Sequence, residues 1–330
     1  MILAGDIGGT KTNIAMFASE PGARPQLIRE QSYASSEHTG LEQILTRFLA
    51  ESPNGALRSA CFGIAGPVIA GRCETPNLPW VIEAKALQEK FGLPHVTLIN
   101  DLEALAEGIP ALQGNELATL NPGTRVGSDL QPGAVIAAGT GLGMAILQPV
   151  AGQWIPAASE GGHMDFAPRN PQEMALLGFL LSRFEHVSTE RVVSGPGLHA
   201  VYDFLVARGQ LKPDAGLARS IASNAAEAPA LISNAALAKQ CPVCVSALDL
   251  WVECYAATAG NLGLLALSAG GLYLGGGIAP KILSKLQEPA FLNALTSKGR
   301  LSPVLQRMPV HVILNPKTPL LGAARRALRS

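Results

Sequence analysis

One local pattern occurs twice in this chain. An apolar run leads into a glycine-rich turn, and a second apolar or alternating run leaves it. The first copy is Ile2–Ala4, the turn Gly5–Thr10, then Thr12–Ala18; the second is Gly133–Ala138, the turn Gly139-Thr140-Gly141, then Leu142–Gln148. Each copy opens a block that goes on to further strands and helices. Two such blocks predict two related α/β lobes with a cleft between them. No shorter repeat that would signal a solenoid is present.

The first block continues with apolar residues at helical spacing over Gly40–Ala50 (Leu41, Ile44, Leu45, Phe48, Leu49). Arg58–Ile64, the turn Gly66-Pro67 and Val68–Cys73 read as a second strand–turn–strand unit, and Ile82–Lys90 as a helix. Val96–Ile99 is a buried strand ending at Asn100-Asp101, with a helix over Leu102–Gly108 and Asp101 at its first turn. From Pro171 the pattern predicts helices over 171–186, 195–208, 214–239 and 243–269. Then come a strand over Gly271–Leu274, a last strand over Val310–Leu314 and a last helix over Leu320–Leu328.

Composition narrows the class. The 330 residues suit two domains, and 48% hydrophobic against 15% charged residues allows a large core. Lys+Arg and Asp+Glu are both 25, so the chain is formally neutral and lacks the charge of a nucleic-acid binder. Five cysteines do not make a disulfide framework, and there is no Asn-x-Ser/Thr acceptor. The start MILAGDIGGTK is not a signal peptide. Leu130–Ser159 and Cys254–Pro280 carry no charge and are long enough to cross a bilayer, but their glycines and prolines read as buried elements joined by turns. The expectation is a soluble cytoplasmic protein that binds neither nucleic acid nor membrane.

Three glycine-rich elements carry the chemistry. In Gly5-Asp6-Ile7-Gly8-Gly9-Thr10-Lys11-Thr12 the glycines let backbone amides approach an anion, and the threonines and the lysine add donors. Asp6 would repel a phosphate unless a cation lies between, which points to Mg²⁺ held directly or through water. Gly139-Thr140-Gly141 is a second candidate phosphate turn, although it is neither a P-loop nor a dinucleotide fingerprint. Gly275-Gly276-Gly277-Ile278 permits close approach of a flat nucleoside. Each alone also reads as a plain turn; together they predict an ATP site.

DIGGTKTN, IND at 99–101, AAGTGLG at 137–143 and GGGI at 275–278 resemble the phosphate, connecting and adenosine segments of the sugar kinase/actin/Hsp70 superfamily. EGGHMDFAP at 160–168 and STERVVSGPGL at 188–198 resemble bacterial glucokinases, and the likeness runs over nearly the whole chain. The resemblance implies two actin-like ATPase (ribonuclease H-like) lobes with a central cleft. Residues 1–110 plus 303–330 would form the small lobe and 111–302 the large one, closing on sugar to exclude water.

It also implies ATP-dependent phosphorylation of glucose at the 6-hydroxyl, with Mg²⁺ and in a homodimer. Asp101 matches the family's catalytic base; by position alone it also reads as a helix N-cap. Asn100, Asp101, Glu160, His163 and Glu190 would bind the sugar. Glu190 also reads as a capping-box residue behind Ser188 or as an ion-pair partner of Arg191. Gly5, Asp6, Ile7, Gly8, Gly9, Thr10, Gly139, Thr140, Gly141, Gly276 and Gly277 would hold the nucleotide, with Asp6 supporting Mg²⁺ through water. Asn77, in the turn-rich loop Thr75–Trp80, is a weaker candidate.

Two metal or redox readings are set aside. Glu160-x-x-His163 has no cysteine cluster after it to complete a zinc site, and Cys241-Pro-Val-Cys244 lacks a second pair. A kinase for fructose, mannose or an N-acetylated amino sugar remains open, as does a non-catalytic sugar sensor. A transcription regulator on the same scaffold would need a helix–turn–helix ahead of residue five, where the sequence leaves no room for one.

Overall fold

The structure, a computed structural model, describes residues 1–18, 23–53, 55–124, 127–209 and 211–329. The chain divides into two compact units: Met1–Glu116 with Trp154–Ala158 and Asn315–Ser330, and Leu117–Gln153 with Ser159–Leu314. The second boundary lies at 315, not at the 303 expected. The strand Val310–Ile313 hydrogen-bonds into the sheet of the second unit and takes the preceding residues with it.

The first unit is built on β1 (Ile2–Ile7), β2 (Lys11–Ala18), β3 (Gln26–Ala34), β4 (Ser59–Ile64) and β7 (Val96–Asn100), in sheet order β3-β2-β1-β4-β7. The short strands β5 (Arg72–Glu74) and β6 (Val81–Glu83) pair apart from it. β1–β2 and β2–β3 are antiparallel; β1–β4 and β4–β7 are parallel. Side chains alternate across β1, as a strand covered on both faces requires. Leu3 and Ile7 pack on one face with Ile44, Leu45 and Phe48 of the helix Leu41–Ala50. Ile2 and Ala4 pack on the other with Ala104, Leu320 and Ala324. That second face is covered by the helices Asp101–Gly108 and Thr318–Ala327. Their backbones touch: a Cβ on Gly322 would lie 1.8 Å from the Ala104 carbonyl oxygen, and one on Gly108 2.1 Å from that of Thr318.

The second sheet, which lies in the second unit apart from Trp154–Ala158 of β11, carries β8 (Leu117–Asn121), β9 (Gly133–Ala138), β10 (Leu142–Val150), β11 (Gln153–Ser159), β12 (Gly271–Gly275) and β13 (Val310–Ile313), in order β11-β10-β9-β12-β13-β8. Apart from the added β8, this repeats the strand order of the first sheet. β9–β10 is again antiparallel, and β9–β12 and β12–β13 are again parallel. The duplicated strand–turn–strand pattern therefore marks duplicated sheets. The helix Pro242–Ala266 is largely buried beside the sheet, with the Trp251 and Tyr255 rings tilted against each other at 5.1 Å and the Tyr255 hydroxyl donating to Ile136 O at 3.5 Å.

Several expected elements change. The stretch 214–239 is two helices, Ala215–Ser223 and Ala228–Leu237, because Asn224 leaves helical geometry and Pro229 starts the second. Val68–Cys73 is mostly turn, with Ala70 and Gly71 both at positive φ. The helix from 171 ends at Leu181, and that from 242 ends at Ala266. The uncharged stretches are β9, β10 and β11 in one case and the end of the long helix with β12 in the other. Among the described residues no single helix is long and apolar enough to cross a membrane.

Candidate functional site

In the first unit the expected residues gather at the carboxyl ends of the parallel strands. Asp6 is near the end of β1, opposite Asn13 on β2 and level with Gly63 on β4. Gly63 is level with Ile99 on β7, two residues before Asp101. Period-two alternation therefore places Asp6, Gly63 and Asp101 along one face. Gly63 is required there. A Cβ at that position would lie 2.6 Å from the Ala104 Cβ and 3.7 Å from the Asp101 Cα. Asp6 accepts a hydrogen bond from Asn13 Nδ2 at 3.4 Å. Burial, with a smaller contribution from the charge of Asp101, raises its pKa to about 6 despite that bond.

Asp101 is not the helix cap. Asn100 takes that position, its Oδ1 accepting from Leu102 N at 2.9 Å while its Nδ2 donates to Gly66 O at 3.2 Å. Asp101 Oδ1 also accepts from Leu102 N, at 2.8 Å. The turn itself is Gly8–Thr10. Gly5 and Ile7 lie inside β1 with their side-chain positions in the core; a Cβ on Gly5 would meet Phe62 at 2.5 Å, and Ile7 is buried. Thr12, expected to offer its hydroxyl to phosphate, is fully buried and bonded to Ser35 Oγ at 3.0 Å. Asn77 packs against the turn, its Cβ 3.0 Å from where a Cβ on Gly9 would be.

In the second unit the two segments that carry the candidate sugar ligands Glu160, His163 and Glu190 meet at Leu142. Glu190 Oε2 accepts from Leu142 N at 2.8 Å. A Cβ on Gly162 would lie 2.0 Å from Leu142 O, so only glycine lets the turn carrying Glu160 and His163 seat on β10. Within that turn His163 N donates to Glu160 O at 2.9 Å. Thr189, beside Glu190, donates through N to Met164 O at 2.7 Å and through Oγ1 to the same oxygen at 3.1 Å, tying the two segments together. Glu190 is held from behind: Ser194 Oγ donates to Glu190 O at 2.7 Å, and Trp251 Nε1 donates to Ser194 O at 3.0 Å. Ser188 caps the following turn on Arg191 N, and Arg191 lies over the Phe184 ring.

The glycine turns of this unit are also adjacent. Gly139 N donates to Gly141 O at 2.9 Å, and Gly195 N to Gly139 O at 2.8 Å. Gly276, at φ +81°, packs on the backbone of Ala138, and Ile278 N donates to Ala138 O at 3.3 Å. Thr140, Gly276 and Gly277 are exposed.

The family model described as Glucokinase matches residues 3–330. The chain belongs to the glucokinase family. It is 40% identical over 340 residues to a glucokinase of Nostoc punctiforme, covering 100% of this chain and 99% of that one. A crystal structure of a glucokinase from an Antarctic psychrotroph is 29% identical and superposes with a TM-score of 0.84 over 100% and 99% of the two chains. A glucokinase of the ROK family from Streptomyces griseus, solved with glucose and AMPPNP, is 21% identical with a TM-score of 0.61 over 100% and 99%, which shows the shared fold. The fold is that of the actin-like ATPases, and the activity of the family is ATP-dependent phosphorylation of glucose.

The sequence pointed to Asp6, Asp101, Glu160, His163 and Glu190 but not to what holds them. Asn13 was findable, since a hairpin register pairs it with Asp6. Gly63, Thr189 and Ser35 carry no local signal, because each matters only through contacts across the fold.

Proposed function

We propose that Asp101 is the general base of glucose phosphorylation. It accepts the proton of the sugar 6-hydroxyl as that oxygen attacks the γ-phosphorus of ATP and ADP departs. The observation that carries this reading is the placement of Asp6 and Asp101 on one sheet face with only Gly63 between them. Asn100, Glu160, His163 and Glu190 orient the sugar. The amides of Gly8–Thr10 and of Gly139–Gly141 hold phosphate oxygens, and Gly276 and Gly277 pass the nucleoside. Glu190 uses one carboxylate oxygen on Leu142 N, which leaves the other for a sugar hydroxyl.

Mg²⁺, when bound, neutralises charge on the β- and γ-phosphates. Asp6 supplies a hard carboxylate oxygen for it, through water. The donor set fits a cation carried mainly by the nucleotide: the described residues hold no cluster of three or more His, Cys, Asp or Glu that could cage a metal. The enzyme works as a cytoplasmic homodimer, a reading that rests on the family and is checked by light scattering.

The test is ADP release from Mg-ATP with glucose, mannose, fructose, N-acetylglucosamine and N-acetylmannosamine. Strong turnover with glucose alone is expected. Preference for another sugar would overturn the roles given to Glu160, His163 and Glu190. Full activity in Asp101→Ala would overturn the base.

A further inference from the structure

We infer that Ser35 is a positioning residue for nucleotide binding, acting by fixing the orientation of the Gly8–Gly9 peptide. The inference rests on the reading that the Gly8–Thr10 turn binds phosphate. Ser35 immediately follows β3 as the first residue of the short helical turn Ser35–Glu37, is far from the Gly8–Thr10 turn in sequence, and is fully buried. Its Oγ donates to Gly8 O at 2.8 Å and meets Thr12 Oγ1 at 3.0 Å. Since the Ser35 hydroxyl proton goes to Gly8 O, Thr12 is the donor of that second bond. Ser35 N donates to Thr10 O at 3.0 Å, and Gly8 N donates to Lys11 O at 3.0 Å. One residue thus holds the turn at two carbonyls, Gly8 and Thr10.

The consequence follows from peptide planarity. The C=O of Gly8 and the N–H of Gly9 share one plane and point in opposite directions. Binding the Gly8 oxygen inward turns the Gly9 amide away from the buried hydroxyl pair, where an anion can meet it. Glycine at 8 and 9 makes this peptide easy to rotate, so without the Ser35 bond the amide would sample other orientations. Binding phosphate would then carry the cost of fixing it.

The test is steady-state kinetics of Ser35→Ala and of the double variant Ser35→Ala/Thr12→Val, which removes both buried hydroxyls and leaves neither unpaired. Expected is a rise in KM for ATP of about three- to tenfold, the worth of one ordering hydrogen bond, with KM for glucose unchanged. Thermal unfolding of each variant separates this from a loss of fold. A lower melting temperature with unaltered KM for ATP would overturn the inference and leave Ser35 a packing residue. Thr10→Val tests the underlying reading separately. If it raises KM for ATP while the Ser35 variants do not, the turn binds phosphate and Ser35 does not position it. If neither changes KM for ATP, both the inference about Ser35 and the part given to the Thr10 hydroxyl in phosphate binding fail.

Discussion

Glu190 and Leu142 are joined by a 2.8 Å hydrogen bond from the Leu142 amide to one carboxylate oxygen of Glu190. The carbonyl oxygen of the same Leu142 packs closely on Gly162, 2.0 Å from where a Cβ there would lie. One residue, immediately after the Gly139–Gly141 turn, therefore registers the candidate sugar ligands against a candidate phosphate turn. Glu190→Gln keeps the shape and an acceptor but loses the charge. Charge-assisted bonds contribute about 1.5–3 kcal/mol, so KM for glucose should rise roughly tenfold to a hundredfold. Measuring KM for both substrates checks this; an unchanged KM for glucose would remove Glu190 from the sugar site.

Asp101→Ala should lower kcat by about 10²–10⁴, the usual worth of a positioned base. Glucose binding, read by calorimetry without nucleotide, should largely survive. Asn100 is the helix cap, so the replacement leaves the helix start intact.

Asp6 gives a pH signature. Its folded pKa, about 6, lies above the ordinary 3.8 because burial disfavours the charge. The folded state then binds the proton more tightly than the unfolded state. That stabilising contribution is complete below about pH 4 and is lost as pH rises through about 6. Above pH 6 the free protein bears a buried charge. Asp6→Asn should therefore raise the stability of the ligand-free protein at pH 7–8 by on the order of 1–3 kcal/mol and change little at pH 4. Denaturant unfolding at the two pH values checks the sign. Activity should fall in the same variant, since the carboxylate proposed to support Mg²⁺ is gone.

The crossing of the helices Asp101–Gly108 and Thr318–Ala327 has no room for a methyl group. Gly322→Ala would put its Cβ against the Ala104 carbonyl and force the helices apart. Overpacking of this kind costs about 1–3 kcal/mol or more. A lower melting temperature is expected, with a fall in kcat in the folded fraction, because Asp101 is the first residue of one of those helices.

Cys241 and Cys244 are both buried and free. Native protein should leave them unmodified by a thiol reagent over the time in which denatured protein reacts fully. The Cys244 thiol is pushed up to about 12, chiefly by burial, so in the folded protein it is the slower of the two.

Much of the fold was legible because its signals are local. The two hairpins declare themselves by alternation around glycines, and Val96–Ile99 followed by Asn-Asp announces a strand running into a helix. β3, β8 and β11 were not read from the pattern. β3 and β11 are largely exposed and β8 is only half-buried, and partly solvated edge strands lack a sustained apolar run. The break at Asn224 was hidden by an alanine-rich composition that suits helix on either side of it.

The sequence by itself determined the duplicated strand–turn–strand plan, the family and the chemical types at the site, since these are written in local periodicity and in contiguous motifs. Only the tertiary structure decided what each residue does there. It gave the cap to Asn100 rather than Asp101, turned Thr12 inward to Ser35, sent Gly5 and Ile7 into the core, and hung Glu190 on Leu142. The physical reason is that a side chain's direction and hydrogen-bond partner depend on which strand lies beside it. Residues 12 and 35, or 142 and 190, become neighbours only when the sheets and their connections have formed.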